Sequence, residues 1–286
     1  MPDLENISAI DQLPPLREVI SEHNLRAEKK LGQNFLLDMN ITDKIARQAG
    51  ELSECSIFEI GPGPGGLTRS LLRAGAKQVK AIEFDKRAIN ALEDLVIASE
   101  NRLEVLENDA LNLNLLDIDV TGDRLIIANL PYNIATMLLL NWLKQIRHNK
   151  DSYKKMILMF QKEVAQRIVA KPGTKSYGRL AVISQWLCDC EISFSLPAQA
   201  FVPPPKVSSA IVTFTPKELK EDAPRFQDVE AVTACAFGQR RKMVRSSLKD
   251  YQQWFSAADI DPESRAEELF IDQFISLAKF FHNKNP

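Results

Sequence analysis

Between Ser56 and Gln161 short β-type runs alternate with helical patterns, and that alternation restricts the possible folds more than any other feature of the chain. Strands joined through helices run parallel, and a parallel sheet is covered on both faces. Runs at 57–60, 78–84, 103–107, 125–130 and 156–161 predict five such strands, with helices over 68–74, 86–99 and 134–145. After a helix near 178–187, runs at 191–196 and 210–215 are spaced to pair antiparallel and to close a seven-stranded, mainly parallel sheet. The expected class is α/β and Rossmann-like. Beyond Pro216 the apolar spacing is helical throughout, in 229–237, 242–251 and 270–281, after a polar linker at 217–224. An α/β domain over 1–216, including an N-terminal extension at 1–28, and a small all-helical C-terminal domain over 217–286 are therefore expected.

Composition narrows the function classes. The opening MPDLENISAIDQLPPL is acidic and has no basic start followed by an apolar run, so no signal or transit peptide is expected and the cytoplasm is the predicted location. The most apolar stretch, 134–143, is interrupted by Thr136 and Asn141 and falls well short of the roughly 20 residues a bilayer needs. It reads as a core helix, and no membrane partner is expected. Cys55, Cys188, Cys190 and Cys235 form no CxxC pair, and with three histidines they give no zinc spacing, so no metal centre is expected. Cys188 and Cys190 fit either a redox pair or, more simply, alternation along a strand, and reduced structural thiols are expected.

The net charge of -2 hides a strong local bias. From Lys144 to Arg179 lie Lys144, Arg147, Lys150, Lys154, Lys155, Lys162, Arg167, Lys171, Lys175 and Arg179, against only Asp151 and Glu163. Arg240, Arg241, Lys242, Arg245 and Lys249 form a second cluster in an acid-free stretch, 231–249. Each is either a solvated helix face or the footprint of a polyanion.

The first strand leads into Glu59-Ile-Gly-Pro-Gly-Pro-Gly-Gly-Leu67, where glycines let the backbone approach a ligand closely. Gly61, Gly63 and Gly66 also satisfy the dinucleotide-binding pattern, with Glu83 ending the next strand, so this loop by itself fits either a dinucleotide or another nucleoside cofactor. Glu83 is placed to take both hydroxyls of a ribose. Asp109, just past the third strand, can accept from an adenine amine. No hydride-transfer constellation with a His, Lys or Tyr acid is evident.

The fourth strand ends in Asn129-Leu130-Pro131-Tyr132. An amine on a heteroaromatic ring is a poor nucleophile because its lone pair is delocalised into the ring. The Asn129 amide oxygen and the Leu130 carbonyl, held by the fixed φ of Pro131, can each accept one N–H and bias the nitrogen toward tetrahedral geometry. Tyr132 can stack on the base. The stiff loop Phe201-Val-Pro-Pro-Pro-Lys206 is expected to project over the same end of the sheet, with Phe201 either sandwiching a flipped base opposite Tyr132 or packing in the core.

Together the segments LGQNFLLD, FEIGPGPGGLT, AIEFD, ENDAL, ANLPYNI, QKEVAQRI, YGRLAV, FVPPPKVSSAIV and AFGQRRKMVRSSL resemble the ribosomal RNA small-subunit adenine dimethyltransferase family over nearly the whole chain. The resemblance implies a Rossmann-like methyltransferase fold that uses S-adenosylmethionine (SAM), with Asn34, Leu36, Gly61, Glu83, Asp109 and Asn129 contacting it. It also implies an amine-binding turn at Asn129, Leu130, Pro131 and Tyr132, with Phe201 stacking on the target base. Lys206, Arg240, Arg241, Lys242 and Arg245 would meet the RNA. The implied substrate is 16S ribosomal RNA in an immature 30S subunit, where two adjacent adenosines of the 3′-terminal hairpin are each dimethylated at N6 by a monomeric enzyme. A related methyltransferase of large-subunit RNA, an assembly factor whose methylation is dispensable, and a NAD oxidoreductase are the competing readings.

Overall fold

The computed structural model describes residues 8–25, 33–239 and 241–284. In chain order its elements are helix α1 Leu16–Glu22, strand β1 Phe35–Leu36, α2 Met39–Arg47, β2 Cys55–Ile60, α3 Gly66–Arg73, β3 Gln78–Glu83, α4 Lys86–Ala91, α5 Glu93–Ala98, β4 Leu103–Glu107 and β5 Asp123–Ala128. There follow α6 Ala135–His148, β6 Lys155–Gln161, α7 Lys162–Ile168, α8 Arg179–Leu187, β7 Cys188–Leu196, β8 Phe201–Val202, β9 Ser209–Pro216, α9 Phe226–Gly238, α10 Val244–Ser247 and α11 Ile271–Lys284. Among the described residues no helix is long and apolar enough to cross a membrane.

One sheet has seven strands in the order β4-β3-β2-β5-β6-β9-β7, and a small second sheet pairs β1 with β8. Strands β2 to β6 pair in parallel, whereas β9 runs antiparallel to β6. Strand order reverses between β2 and β5, so a crevice opens past their carboxyl ends. Every residue of β2 is buried, including the acid Glu59, because helices cover both faces of this central strand. The surrounding core gathers Ile57, Leu67, Leu71, Val79, Leu125, Ile127, Ile157 and Ile211.

The chain divides into two compact units. The first comprises the chain up to Leu140 together with Ser152–Lys162 and Ser193–Phe214; the second comprises Asn141–Asp151, Glu163–Ile192 and the chain from Thr215 onward. The second unit thus draws in two segments that lie before the linker at which the sequence suggests a boundary. Its packing explains why. The buried face of α8 carries Trp186, whose ring stacks on Phe226 of α9 with centroids 6.4 Å apart. Arg147 donates to the carbonyls of Pro224 (2.7 Å) and Ala223 (2.6 Å). Phe237 of α9 stacks on Phe274 of α11 at 5.5 Å, so aromatic contacts bind the unit's helices to each other.

Several elements differ from the sequence expectation. The helix expected over 86–99 is two, α4 and α5, which meet at Leu92, the C-cap of the first and the N-cap of the second. The helix expected over 242–251 is the four-residue α10 followed by a 3-10 turn, Lys249–Trp254, because Leu248 at φ -114, ψ 34 interrupts it. The N-terminal segment from Ser8 onward is docked: Ile10, Leu16, Val19 and Leu25 are buried, and Arg69 of α3 donates to the Pro14 carbonyl at 2.7 Å.

Candidate active site

A cleft of about 880 Å³, its mouth included, lies past the carboxyl ends of β2, β3, β4 and β5 and is also lined by residues 33–36. Nine of the sequence-predicted site residues meet in it: Asn34, Leu36, Gly61, Glu83, Asp109, Asn129, Leu130, Pro131 and Tyr132. Its floor is the glycine loop. Gly61 has φ +67 and donates its N–H to the Ile82 carbonyl at 2.9 Å, which fastens the loop to β3. Gly63 has φ +54, and a Cβ there would stand 3.0 Å from the Phe35 ring. Both positions therefore favour glycine, and the loop's backbone forms the cleft surface.

Glu83 ends β3 almost wholly buried, and its Oε1 accepts the backbone N–H groups of Phe84 (2.9 Å) and Asp85 (3.0 Å). Burial pushes its carboxyl above the usual range, while the N–H groups of Asp85, Phe84 and Gly63 pull it back. Asp109 is exposed at the far lip, where Oδ1 accepts from the Leu111 N–H (2.9 Å) and Oδ2 from the Asn112 amide (3.1 Å). Both acids are thus pinned by neighbouring donors before any ligand enters.

Asn129 follows β5 directly, and its Nδ2 donates to the Asn34 carbonyl at 3.1 Å. That bond fixes which end of the amide is spent on the protein. Oδ1 remains as the acceptor end. The turn beyond it is closed by the N–H groups of Ile134 and Ala135, both donating to the Pro131 carbonyl at 3.1 Å. Tyr132 shares a 2.6 Å hydrogen bond with the hydroxyl of Ser209, the first residue of β9, so its half-buried ring is held at the phenol end. Burial raises the Tyr132 hydroxyl above its usual range, against the opposing effect of Ser209.

Phe201 requires correction. It does not line the cleft; its ring is 1% exposed and belongs to the core that includes Leu36. The pairing of β8 with β1 sets this, because Leu36 lies opposite Phe201 and Phe35 opposite Val202. The sandwich with Tyr132 is absent from this structure, and Val202 is the side chain turned outward, 45% exposed.

Among the cleft residues not singled out from the sequence, Glu59 and Phe84 bear on the chemistry. Glu59 is 1% exposed, and its Oε2 has no hydrogen-bond partner. Burial pushes its carboxyl up to about 8; the Thr68 hydroxyl beside it works the other way, and Glu83 adds to the rise. An acid inside an otherwise apolar central strand was the available signal, since such a group is seldom buried without a task. Phe84 lines the cleft and stays 51% exposed, an aromatic face directly after Glu83.

The basic residues are distributed differently from the expectation. In the segment Lys144 to Arg179 much of the charge is neutralised by acids the local sequence does not contain. Lys154 pairs with Asp123 (2.5 Å), Lys150 with Glu218 (2.9 Å) as well as Asp151, and Arg179 with Glu230 (2.6 Å), while Arg167 pairs with Glu163. Lys206, Arg241 and Lys242 are exposed, and Arg245 is exposed but paired with Glu263. Arg240 lies outside the described residues.

The profile of the family described as ribosomal RNA adenine dimethylase matches residues 24–283. Ribosomal RNA small subunit methyltransferase A of Ruegeria pomeroyi is 53% identical over 281 residues, 96% of this chain and 99% of that protein. A crystal structure of a dimethyladenosine transferase from Plasmodium falciparum superposes with a TM-score of 0.70 at 28% identity, covering 86% of this chain and 97% of the other. The 23S rRNA methyltransferase ErmE has the same fold, with a TM-score of 0.64 at 23% identity over 86% of this chain and 98% of its own. By profile, sequence and fold, the chain belongs to the ribosomal RNA adenine dimethylase family.

Proposed function

We propose that the cleft binds SAM and that the Asn129–Tyr132 turn presents the N6 amine of an adenine in ribosomal RNA for two successive methylations. The observation that carries this is the cleft's charge: Glu59, Glu83 and Asp109 line it, and among the described residues no lysine, arginine or histidine does. A dinucleotide would bring a pyrophosphate into that acidic lining with the glycine loop's backbone N–H groups to set against two buried carboxyl groups. A cofactor with a positively charged end fits, and the orphaned Glu59 Oε2 is the kind of buried atom such an end would satisfy. Glu83 would take the ribose hydroxyls and Asp109 the adenine amine, with Asn34, Leu36, Gly61 and Asn129 around the remainder. Bound there, SAM supplies an electrophilic sulfonium methyl.

The chain's own residues then have to localise a reluctant lone pair. Asn129 Oδ1 and the Leu130 carbonyl each accept one N–H of the amine, which draws the nitrogen out of conjugation without a strong base. Tyr132, tethered through Ser209, offers its ring to the base. After the first transfer only one N–H remains, so one acceptor loses its partner in the second round. Phe201 contributes by anchoring β8 rather than by stacking.

The substrate reading is 16S RNA in an immature 30S subunit, at two adjacent adenosines of the 3′-terminal hairpin, met by a cytoplasmic monomer. Exposed Lys206, Arg241 and Lys242, with Arg240 and Arg245, would hold the phosphates. The test is to incubate unmethylated small subunits with the protein and tritium-labelled SAM and to analyse the nucleosides. Label in N6,N6-dimethyladenosine is expected; label confined to another nucleoside would contradict the proposal.

A further inference from the structure

Among the described residues Glu59 is the one cleft acid whose surroundings leave it unsatisfied. Glu83 has backbone N–H groups to stabilise a negative charge, and Asp109 has solvent and two donors. Glu59 stands on the central strand, 1% exposed, with Oε2 unpartnered. Its neighbours do not compensate. From β3 the charged neighbour is Glu83, which repels it; α3 offers the Thr68 hydroxyl, while Arg69, next to Thr68 in the chain, donates to the Pro14 carbonyl at 2.7 Å. Asn129, after β5, is uncharged. Two buried carboxyl groups that act on each other cannot both ionise cheaply in an empty cleft, and the better-solvated Glu83 is the one to carry the charge.

We propose that Glu59 is a neutral carboxylic acid in the cofactor-free protein and yields its proton to solvent when the cationic methionine end of SAM enters, so that cofactor binding is coupled to the release of one proton. The step balances simply: the Glu59 O–H bond breaks, the proton goes to bulk buffer, and the carboxylate left behind faces the positive charge that the cofactor brings. The upward shift of this group to about 8 agrees with a protonated starting state near neutrality. This inference rests on the reading of the cleft as a SAM site, and the two can fail separately.

The test is calorimetric titration of the full-length protein with SAM at about pH 7 in two buffers of different protonation enthalpy, which counts the protons released per cofactor bound. Close to one is expected. For Glu59→Gln none is expected, the variant serving also to subtract ionisation of SAM itself. Wild-type affinity should tighten as pH rises from about 6 toward 8, by at most about tenfold per unit, and the variant's should lose that dependence. SAM binding without proton release, or equal release from Glu59→Gln, would overturn the inference while leaving the cofactor assignment intact. Absence of any SAM binding would remove both. Should the variant not fold, the wild-type proton count, corrected for the ionisation of free SAM titrated separately, still decides.

Discussion

The cofactor cleft and the basic residues present opposite relations between charge and environment. In the cleft two acids lie inside the fold: Glu83 is held by two backbone N–H groups, Glu59 by nothing at Oε2. Among the basic residues many charges crowd one stretch of sequence, yet Lys150, Lys154, Arg167 and Arg179 are neutralised by acids, three of them distant in sequence, and Arg147 is spent on two carbonyls. A charge therefore reports a ligand where it is buried and unanswered. A run of exposed like charges reports little until its partners are counted.

That contrast can be broken by experiment, beginning with stability. Because the folded-state carboxyl of Glu59 lies above its unfolded value of 4.5, its contribution is fully present at low pH and is lost as pH rises toward about 8. The cofactor-free protein should lose on the order of 4 kcal/mol over that window from this group. Glu59→Gln should flatten the decline in denaturant titrations across pH, and an unchanged slope would count against the cleft's assigned electrostatics. Next, Glu83→Ala should weaken SAM binding about 100-fold, as expected when charge-assisted hydrogen bonds are removed. Replacing Arg241 and Lys242 by Ala should leave SAM affinity unchanged, and the converse pattern would erase the distinction between the regions.

Smaller effects sharpen it. Tyr132→Ala should cost about 1–3 kcal/mol in binding of an RNA hairpin substrate, and Tyr132→Phe only the Ser209 bond, about 1 kcal/mol; equal losses would mean that the ring does not stack. The Arg241 and Lys242 replacements should lower the slope of log affinity against log salt by about 0.7–0.9 for each phosphate they leave without its cation. Least of all, Lys150→Ala should leave that slope as it is, since Asp151 and Glu218 already neutralise Lys150. A flatter slope would return the 144–179 segment to the RNA footprint.

Strands β2, β3, β5 and β6 were legible because burial on both faces writes a largely apolar run into the sequence, and the edge strand β4 because its Leu-Glu-Val-Leu-Glu alternates. β1 and β8 were not, being two residues each and defined only by their mutual pairing. For the same reason the orientation of Phe201 could not be read: an aromatic beside three prolines can turn in or out, and Leu36 across the ladder decides it. The glycine loop, Glu83, Asp109 and the Asn129–Tyr132 turn were legible because each stands at a strand's carboxyl end, where sheet topology gathers them into one cleft. Glu59 was legible only as an acid within the central strand; that its Oε2 finds no partner depends on surroundings distant in sequence. Helix α2 also went unread: of its nine residues only Thr42, Ile45 and Ala46 are buried.

Catalysis in the proposed site depends on how residue 129 holds the substrate nitrogen, and single-turnover kinetics of Asn129→Ala on paired RNA substrates examine that directly. One substrate carries adenosine at the target position and the other N6-methyladenosine, with SAM saturating. Since the second round has a single N–H to share between two acceptors, the variant should slow the two rounds by different factors, with the larger loss, on the order of 100-fold, set by removal of a preorganised polar group. Equal losses on both substrates, or none on either, would contradict a site in which the Asn129 amide oxygen grips the amine.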